Sequence, residues 1–190
     1  MNQNKMNKEI IKKIKTEGVQ IGKAVAEIKD YPEPGIAFKD ITPVLQSSEL
    51  FGKVNSALVE LTKCFGDIDL VVSPESRGFL FGPVVADRLG IGFVPARKPG
   101  KLPRAVIDEP FGKEYGTDMI QLHTDAIKPD ERVIIVDDVL ATGGTAKAIA
   151  KLVERLGGIV AGYVFFIELC YLDGAKLLGC DKVLSLVEYK

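Results

Sequence analysis

Apolar residues recur along the chain in two rhythms, one helical and one β-like, and the order of the two gives the first structural information. Ile10, Ile11, Ile14, Ile21, Val25 and Ile28 keep one face apolar at helical spacing, with lysines elsewhere, and predict a first amphipathic helix. Lys12, Lys13 and Lys15 fit a solvated face of that helix better than a basic binding patch. The helix should stop before Asp30-Tyr31-Pro32, because proline disfavours helical backbone in the residue ahead of it. Tyr31 to Pro43, YPEPGIAFKDITP, with its three prolines, reads as a loop of fixed shape. Ser47 or Ser48 then caps a helix carrying Leu50, Phe51, Val54, Ala57, Leu58, Leu61 and Phe65.

Beyond Phe65 the rhythm changes. Ile68 to Ser73 and Ile91 to Ala96 predict strands, separated by a turn at Pro74 to Gly78 and a helical stretch to Leu89. Lys98 to Gly112 holds Pro99, Gly100, Pro103, Pro110 and Gly112 and predicts a long mobile loop, with Tyr115 to His123 extended after it. Arg132 to Val136 is a buried-strand pattern, Ala146 to Leu156 a helix, and Tyr163 to Ile167 and Val183 to Val187 two more strands. Strands alternating with helices point to an α/β fold with a parallel, doubly wound sheet. No repeat, low-complexity tract or linker divides the 190 residues, so a single domain is expected.

Composition narrows the function classes. Lys+Arg 25 against Asp+Glu 26 leaves a formal charge of −1, which argues against a chain that coats nucleic acid by general electrostatics. The longest apolar stretch, Gly158 to Ile167, is too short for a membrane span. The opening residues lack the apolar run and cleavage site of a signal peptide, so a cytoplasmic protein is expected. Cys64, Cys170 and Cys180 form neither C-x-x-C nor a pairing with histidine; three buried small residues in a reducing compartment fit better than disulfides or zinc. His123, the only histidine, reads as a hydrogen-bonded surface or interface residue.

The most informative segment is Val133 to Thr145, VIIVDDVLATGGT. A strand runs into Asp137 and Asp138, and Ala141-Thr142-Gly143-Gly144-Thr145 leads into a helix whose free N–H groups attract an anion such as a phosphate monoester. Two carboxylates beside a phosphate repel it unless a hydrogen-bond donor or a cation lies between them. Ribose hydroxyls supply the first and a divalent metal the second. The pattern therefore suggests a sugar 5-phosphate with free 2- and 3-hydroxyls, with or without Mg²⁺; an Asp pair that merely caps the following loop is the plainer alternative. No Gly-Lys precedes Ser or Thr, and no G-x-G-x-x-G opens a helix, so nucleotide and dinucleotide loops of those kinds are excluded.

VIIVDDVLATGGT resembles the 5-phosphoribosyl 1-diphosphate (PRPP) motif of the type I phosphoribosyltransferases. Three further segments, PGIAFKDITP, ESRGFLFGP and RKPGKLP followed by Glu114-Tyr115-Gly116, look like the adenine-specific members of that family, in the family's order. The resemblance covers the chain from about Tyr31 onward. It implies a mostly parallel twisted sheet flanked by helices, a small N-terminal hood within residues 1–45, and a flexible lid over residues 98–113. The implied reaction converts adenine and PRPP to AMP and pyrophosphate with Mg²⁺, in a homodimer for which Phe79 to Val85 offers apolar surface. Asp137 and Asp138 would hold the ribose hydroxyls, directly or through the metal, and Ala141, Thr142, Gly143, Gly144 and Thr145 the 5-phosphate.

Ser76, Arg77, Arg97, Lys98 and Lys101 would hold pyrophosphate, with a cis peptide expected at or near Glu75-Ser76. Glu114 would manage the proton of the base, with Tyr115 beside it, although an isolated Glu beside Tyr is commonly just surface. Ala37 would read adenine through its backbone, Phe38 and Val139 would cover the two purine faces, and Lys39 would border the base. Lys39 stands where many relatives carry Arg, and Lys113 where an apolar residue is usual. Two other functions stay open: a hypoxanthine- or guanine-type transferase, and a PRPP-sensing regulator without turnover.

Overall fold

The computed structural model describes residues 3–112 and 118–190. Helix α1 (Gln3–Gly22) precedes a β1 (Ala26–Lys29) and β2 (Ala37–Asp40) hairpin. Next come α2 (Thr42–Gln46), α3 (Ser48–Lys63), β3 (Leu70–Pro74), a 3-10 turn over Arg77–Leu80, α4 (Gly82–Leu89) and β4 (Gly92–Ala96). β5 (Val106–Phe111) and β6 (Asp118–His123) follow, then β7 (Arg132–Leu140), α5 (Gly144–Arg155), β8 (Ile159–Leu169), α6 (Gly174–Leu178) and β9 (Val183–Tyr189).

The central sheet has the order β4-β3-β7-β8-β9, and every neighbouring pair in it is parallel. Both faces are covered, which is why its strands are continuous apolar runs rather than alternations. Val71, Ile134, Val136, Val164, Phe166 and Leu186 face the α1–α4 layer, while Val72, Val133, Ile135, Tyr163 and Phe165 face α5 and β6. Chain order runs outward to β4 on one side of β3 and outward to β9 on the other side of β7. The β3–β7 boundary is thus the switch point, where an open α/β sheet leaves a crevice at the carboxyl ends of its strands.

Local signals explain the helix starts. The Ser47 hydroxyl accepts a hydrogen bond from the Leu50 amide at 3.2 Å, the N-cap expected for α3. α4 ends on Gly90, whose φ of +68° completes a left-handed C-cap.

Several expectations need correction. Val25 and Ile28 do not extend α1; the helix closes at Gly22, and Ala26–Lys29 pairs antiparallel with Ala37–Asp40. The segment read as a fixed loop from Tyr31 to Pro43 therefore contains a strand, and its Tyr31-Pro32 bond is cis. Lys98 to Gly112 is likewise not loop throughout, since Val106–Phe111 pairs with Asp118–His123 in a two-stranded ribbon. Phe79 to Val85 offers little apolar surface: Phe81 and Val85 are fully buried and Leu80 is the large side chain exposed there. The cysteines are free, but Cys64 and Cys170 are half-buried and Cys180 is exposed. His123 is half-buried, and its Nε2 has no hydrogen-bond partner among the described residues.

Candidate active site

The switch-point crevice is an open cleft of about 570 Å³ lined by Pro74, Glu75, Ser76, Arg77, Lys98, Asp137, Asp138, Val139, Ala141 and Thr145. Three strand ends deliver these residues. β3 brings Glu75 to Arg77, β4 brings Lys98, and β7 carries Asp137 to Val139 before passing into the glycine turn. A smaller cavity of about 80 Å³ adjoins it, lined by Asp137, Val139 and the turn from Ala141 to Thr145. In that turn Gly143 has a φ of +83°, and α5 begins at Gly144 with no side chain capping its first turn. Its opening amides therefore point to the cavity without internal partners, the arrangement that draws an anion to a helix start.

The acidic pair is held in low dielectric. Asp138 is 2% exposed, and its amide donates to Asp137 Oδ1 at 2.8 Å. Burial, reinforced by the charge of Asp138, pushes the Asp137 carboxyl well above the usual range. Burial also raises Asp138, against the opposing pull of Arg77. Arg77 Nε lies 2.9 Å from Asp138 Oδ2, a charge contact outside hydrogen-bond alignment, since that oxygen has no hydrogen-bond partner among the described residues. Gly78 lets the pair approach: a β-carbon there would stand 3.0 Å from Asp137 Oδ1 and 2.8 Å from Pro74 Cδ. The Glu75-Ser76 bond just before it is cis, as expected for this segment.

The other expected residues separate into those that face the cleft and those that are engaged elsewhere. The Arg77 guanidinium carbon lies 5.3 Å from the Phe38 ring centroid, so one arginine links the acidic pair to the hairpin residue expected to cover the base. Tyr31 meets Phe38 edge-on at 5.3 Å. Arg97 instead forks onto Glu75, with Nε and Nη2 at 3.1 and 3.2 Å from the two carboxylate oxygens, and gives Nη1 to the Lys101 carbonyl. The Lys98 amide completes the group by donating to Glu75 Oε2 at 3.3 Å, and this donor set lowers the Glu75 carboxyl, Arg97 first. Lys39 pairs with Glu27 and sits 4.1 Å from the Tyr189 ring centroid. Glu114 lies outside the described residues, as do Lys113 and Tyr115.

Sequence reasoning missed Gly174. A β-carbon on it would stand 2.2 Å from the Ala141 carbonyl oxygen and 3.1 Å from the Gly143 amide, so the start of α6 rests directly on the glycine turn. One glycine thirty residues downstream carries no motif of its own, and only the packing reveals it.

Among the described residues no three or more His, Cys, Asp or Glu side chains gather into a metal-binding group. Asp138 Oδ2, buried and free of hydrogen bonds, faces one cation already, the Arg77 guanidinium, and with Asp137 beside it has the donor oxygens for a metal shared with a ligand, since magnesium typically takes one or two carboxylates and substrate phosphates. No helix among the described residues is long and apolar enough to cross a membrane.

Comparison with known proteins agrees with this geometry. Residues 41–171 match the family model of the phosphoribosyl transferase domain, which defines the class. The adenine phosphoribosyltransferase of Thermoanaerobacter pseudethanolicus is 48% identical, with a TM-score of 0.86 over 90% of this chain and 99% of that one. That of Rhodothermus marinus is also 48% identical, with a TM-score of 0.84 over 92% and 99%. The Saccharomyces cerevisiae enzyme, solved with adenine and an imino-altritol bisphosphate, is 39% identical, with a TM-score of 0.84 over 90% and 99%. The chain belongs to the adenine phosphoribosyltransferase family.

Proposed function

We propose that the protein transfers the 5-phosphoribosyl group of PRPP to adenine, forming AMP and releasing pyrophosphate. The observation that carries this reading is the meeting of an acidic pair, Asp138 buried and Asp137 half-buried, with an anion-attracting glycine turn at the β3–β7 switch point. The yeast relative solved with adenine and a sugar-like bisphosphate supports it from outside.

In this reading the ring nitrogen of adenine attacks C1 of the ribose as the C1–O bond to pyrophosphate breaks. The turn from Ala141 to Thr145 holds the 5-phosphate through backbone amides and hydroxyls. Asp137 and Asp138 accept the ribose hydroxyls, whose donation favours the ionised carboxylates that burial disfavours. Ser76, Arg77 and Lys98, which line the cleft, meet the pyrophosphate, with Lys101 closing from the adjoining turn. Arg97 braces the Glu75–Lys98 segment through its fork on Glu75 and keeps one N–H on each Nη to offer the same anion. Ala37 reads the base through its backbone, and Phe38 and Val139 cover its faces. Glu114 takes or holds the proton of the purine. Alignment of base, sugar and leaving group in a site of fixed charges supplies most of the acceleration.

Asp137 and Asp138 would hold magnesium, and it would supply positive charge to the departing pyrophosphate. The family resemblance supports a homodimer, which sedimentation velocity tests, and the free cysteines support a reducing compartment such as the cytoplasm. The decisive assay supplies PRPP and Mg²⁺ with adenine, hypoxanthine or guanine in parallel. AMP formed from adenine in clear preference supports the reading, and equal or greater use of another purine overturns it.

A further inference from the structure

The β1–β2 hairpin that carries Ala37 and Phe38 is a two-stranded sheet of its own, not hydrogen-bonded into the central sheet. Something else has to set its position relative to Arg77 and the cleft. On the hairpin, Lys39 is directly opposite Glu27 and its ammonium pairs with that carboxylate. Its side chain is only 9% exposed, because the same ammonium lies 4.1 Å from the centroid of the Tyr189 ring. Tyr189 is the last residue of β9, and its hydroxyl donates to the carbonyl of Gly22, the last residue of α1, at 2.9 Å. Burial pushes the Tyr189 phenol up, which keeps it a donor.

α1 is seated on β9 without freedom to slide. A β-carbon on Gly18 would stand 2.0 Å from the Leu186 carbonyl oxygen, and one on Gly22 would stand 2.9 Å from Val187 Cγ1. Tyr189 therefore joins three parts of the fold: the central sheet that ends in it, the helix from which the hairpin departs, and the lysine beside the base-reading residue. Successive strand residues face opposite sides, so a shift of Lys39 on one side is a shift of Phe38 on the other.

We infer that Tyr189 and Lys39 are positioning residues for the base, a cation–π clamp that fixes the hairpin from behind and sets adenine affinity without touching adenine. The inference rests on the proposed adenine site. It gives a role to the burial of Lys39 between Glu27 and Tyr189, in a segment that otherwise reads as base recognition. Phosphoribosyl binding, built on β7 and α5, does not pass through the clamp.

The test compares steady-state constants of the full-length wild type with those of Tyr189→Leu, Lys39→Met, Lys39→Arg and the Tyr189→Leu/Lys39→Met double variant. Tyr189→Leu and Lys39→Met should each raise KM for adenine about fivefold, with KM for PRPP and kcat within about twofold of wild type. The double variant should lose clearly less than the sum of the two single losses, because the ammonium–ring contact is common to both while the Glu27 and Gly22 contacts are lost separately. Lys39→Arg, which keeps a cation over the ring, should stay near wild type. Unchanged adenine KM, parallel rises in both KM values, or additive losses in the double variant would overturn the inference. Should Tyr189→Leu fail to fold, Lys39→Met against Lys39→Arg decides the question alone. A wild type that makes no nucleotide from adenine refutes the proposed function instead.

Discussion

Arg77 and Asp138 face each other across the mouth of the crevice, with Nε 2.9 Å from Oδ2 and one partner almost fully buried while the other is 43% exposed. The arginine neutralises an acid that water does not reach, and it does so from the rim where an anionic leaving group would sit. Arg77→Ala should therefore weaken PRPP binding by about tenfold or more while lowering Tm by only about 2–4 °C, because the cation itself is partly solvated. Calorimetric titration of PRPP alongside thermal melting of the same variant separates the two effects.

Asp137 gives the site an inverted dependence of stability on pH. Burial, then the Asp138 charge, raises its folded-state pKa above the unfolded value, so the folded protein holds a proton that the unfolded chain releases. Stability then falls as pH rises through that window, opposite to an ion-paired carboxylate. Asp137→Asn removes the acid, and in the absence of ligand and metal it should melt about 2–4 °C above wild type at pH 7. The gap should shrink on acidification towards pH ~4, near the unfolded carboxyl's own pKa, and vanish below it, where both states are protonated. Melting curves from pH 4 to 8 check this, and a variant less stable than wild type at pH 7 would contradict it.

Gly174 offers a test of the phosphate turn from behind. In Gly174→Ala the new methyl group collides with the Ala141 carbonyl and crowds the Gly143 amide, which the turn can relieve only by moving. AMP affinity should fall by about tenfold or more, within the range of an overpacking strain, while activity losses at saturating substrate are smaller.

Much of the sheet and of the phosphate end of the site was legible in the chain, for a physical reason. A fully buried parallel strand such as β7 has to be a continuous apolar run, and its exit into Asp137, Asp138 and a glycine turn is local in sequence. The hairpin was not legible in the same way. β1 and β2 have four residues each and Pro32, Pro34 and Gly35 stand between them, so local signals favour a loop and only their mutual pairing makes them strands. The charges of Arg97 and Lys39 were visible but their partners were not, since Glu75 and Tyr189 are brought to them by tertiary folding. Gly174 is the extreme case, a residue whose importance lies wholly in what it touches.

Glu114 is assigned through the resemblance of its segment, and its chemistry is directly testable. Glu114→Gln keeps size and polarity but cannot accept the purine proton. The expected outcome is a fall in kcat of roughly 10²-fold or more with PRPP affinity little changed. Single-turnover kinetics with calorimetry on the same preparation distinguishes this from a general loss of binding, and unchanged turnover removes Glu114 from the mechanism.

The most direct measurement is a calorimetric comparison of AMP, 2′-deoxy-AMP and adenosine binding to the wild-type protein. If the glycine turn grips the phosphate and Asp137 and Asp138 grip the pentose, AMP binds, adenosine loses most of the affinity, and the deoxy nucleotide falls between them. Equal affinity for all three, or no heat with AMP, would contradict a phosphoribosyl site at the end of β7.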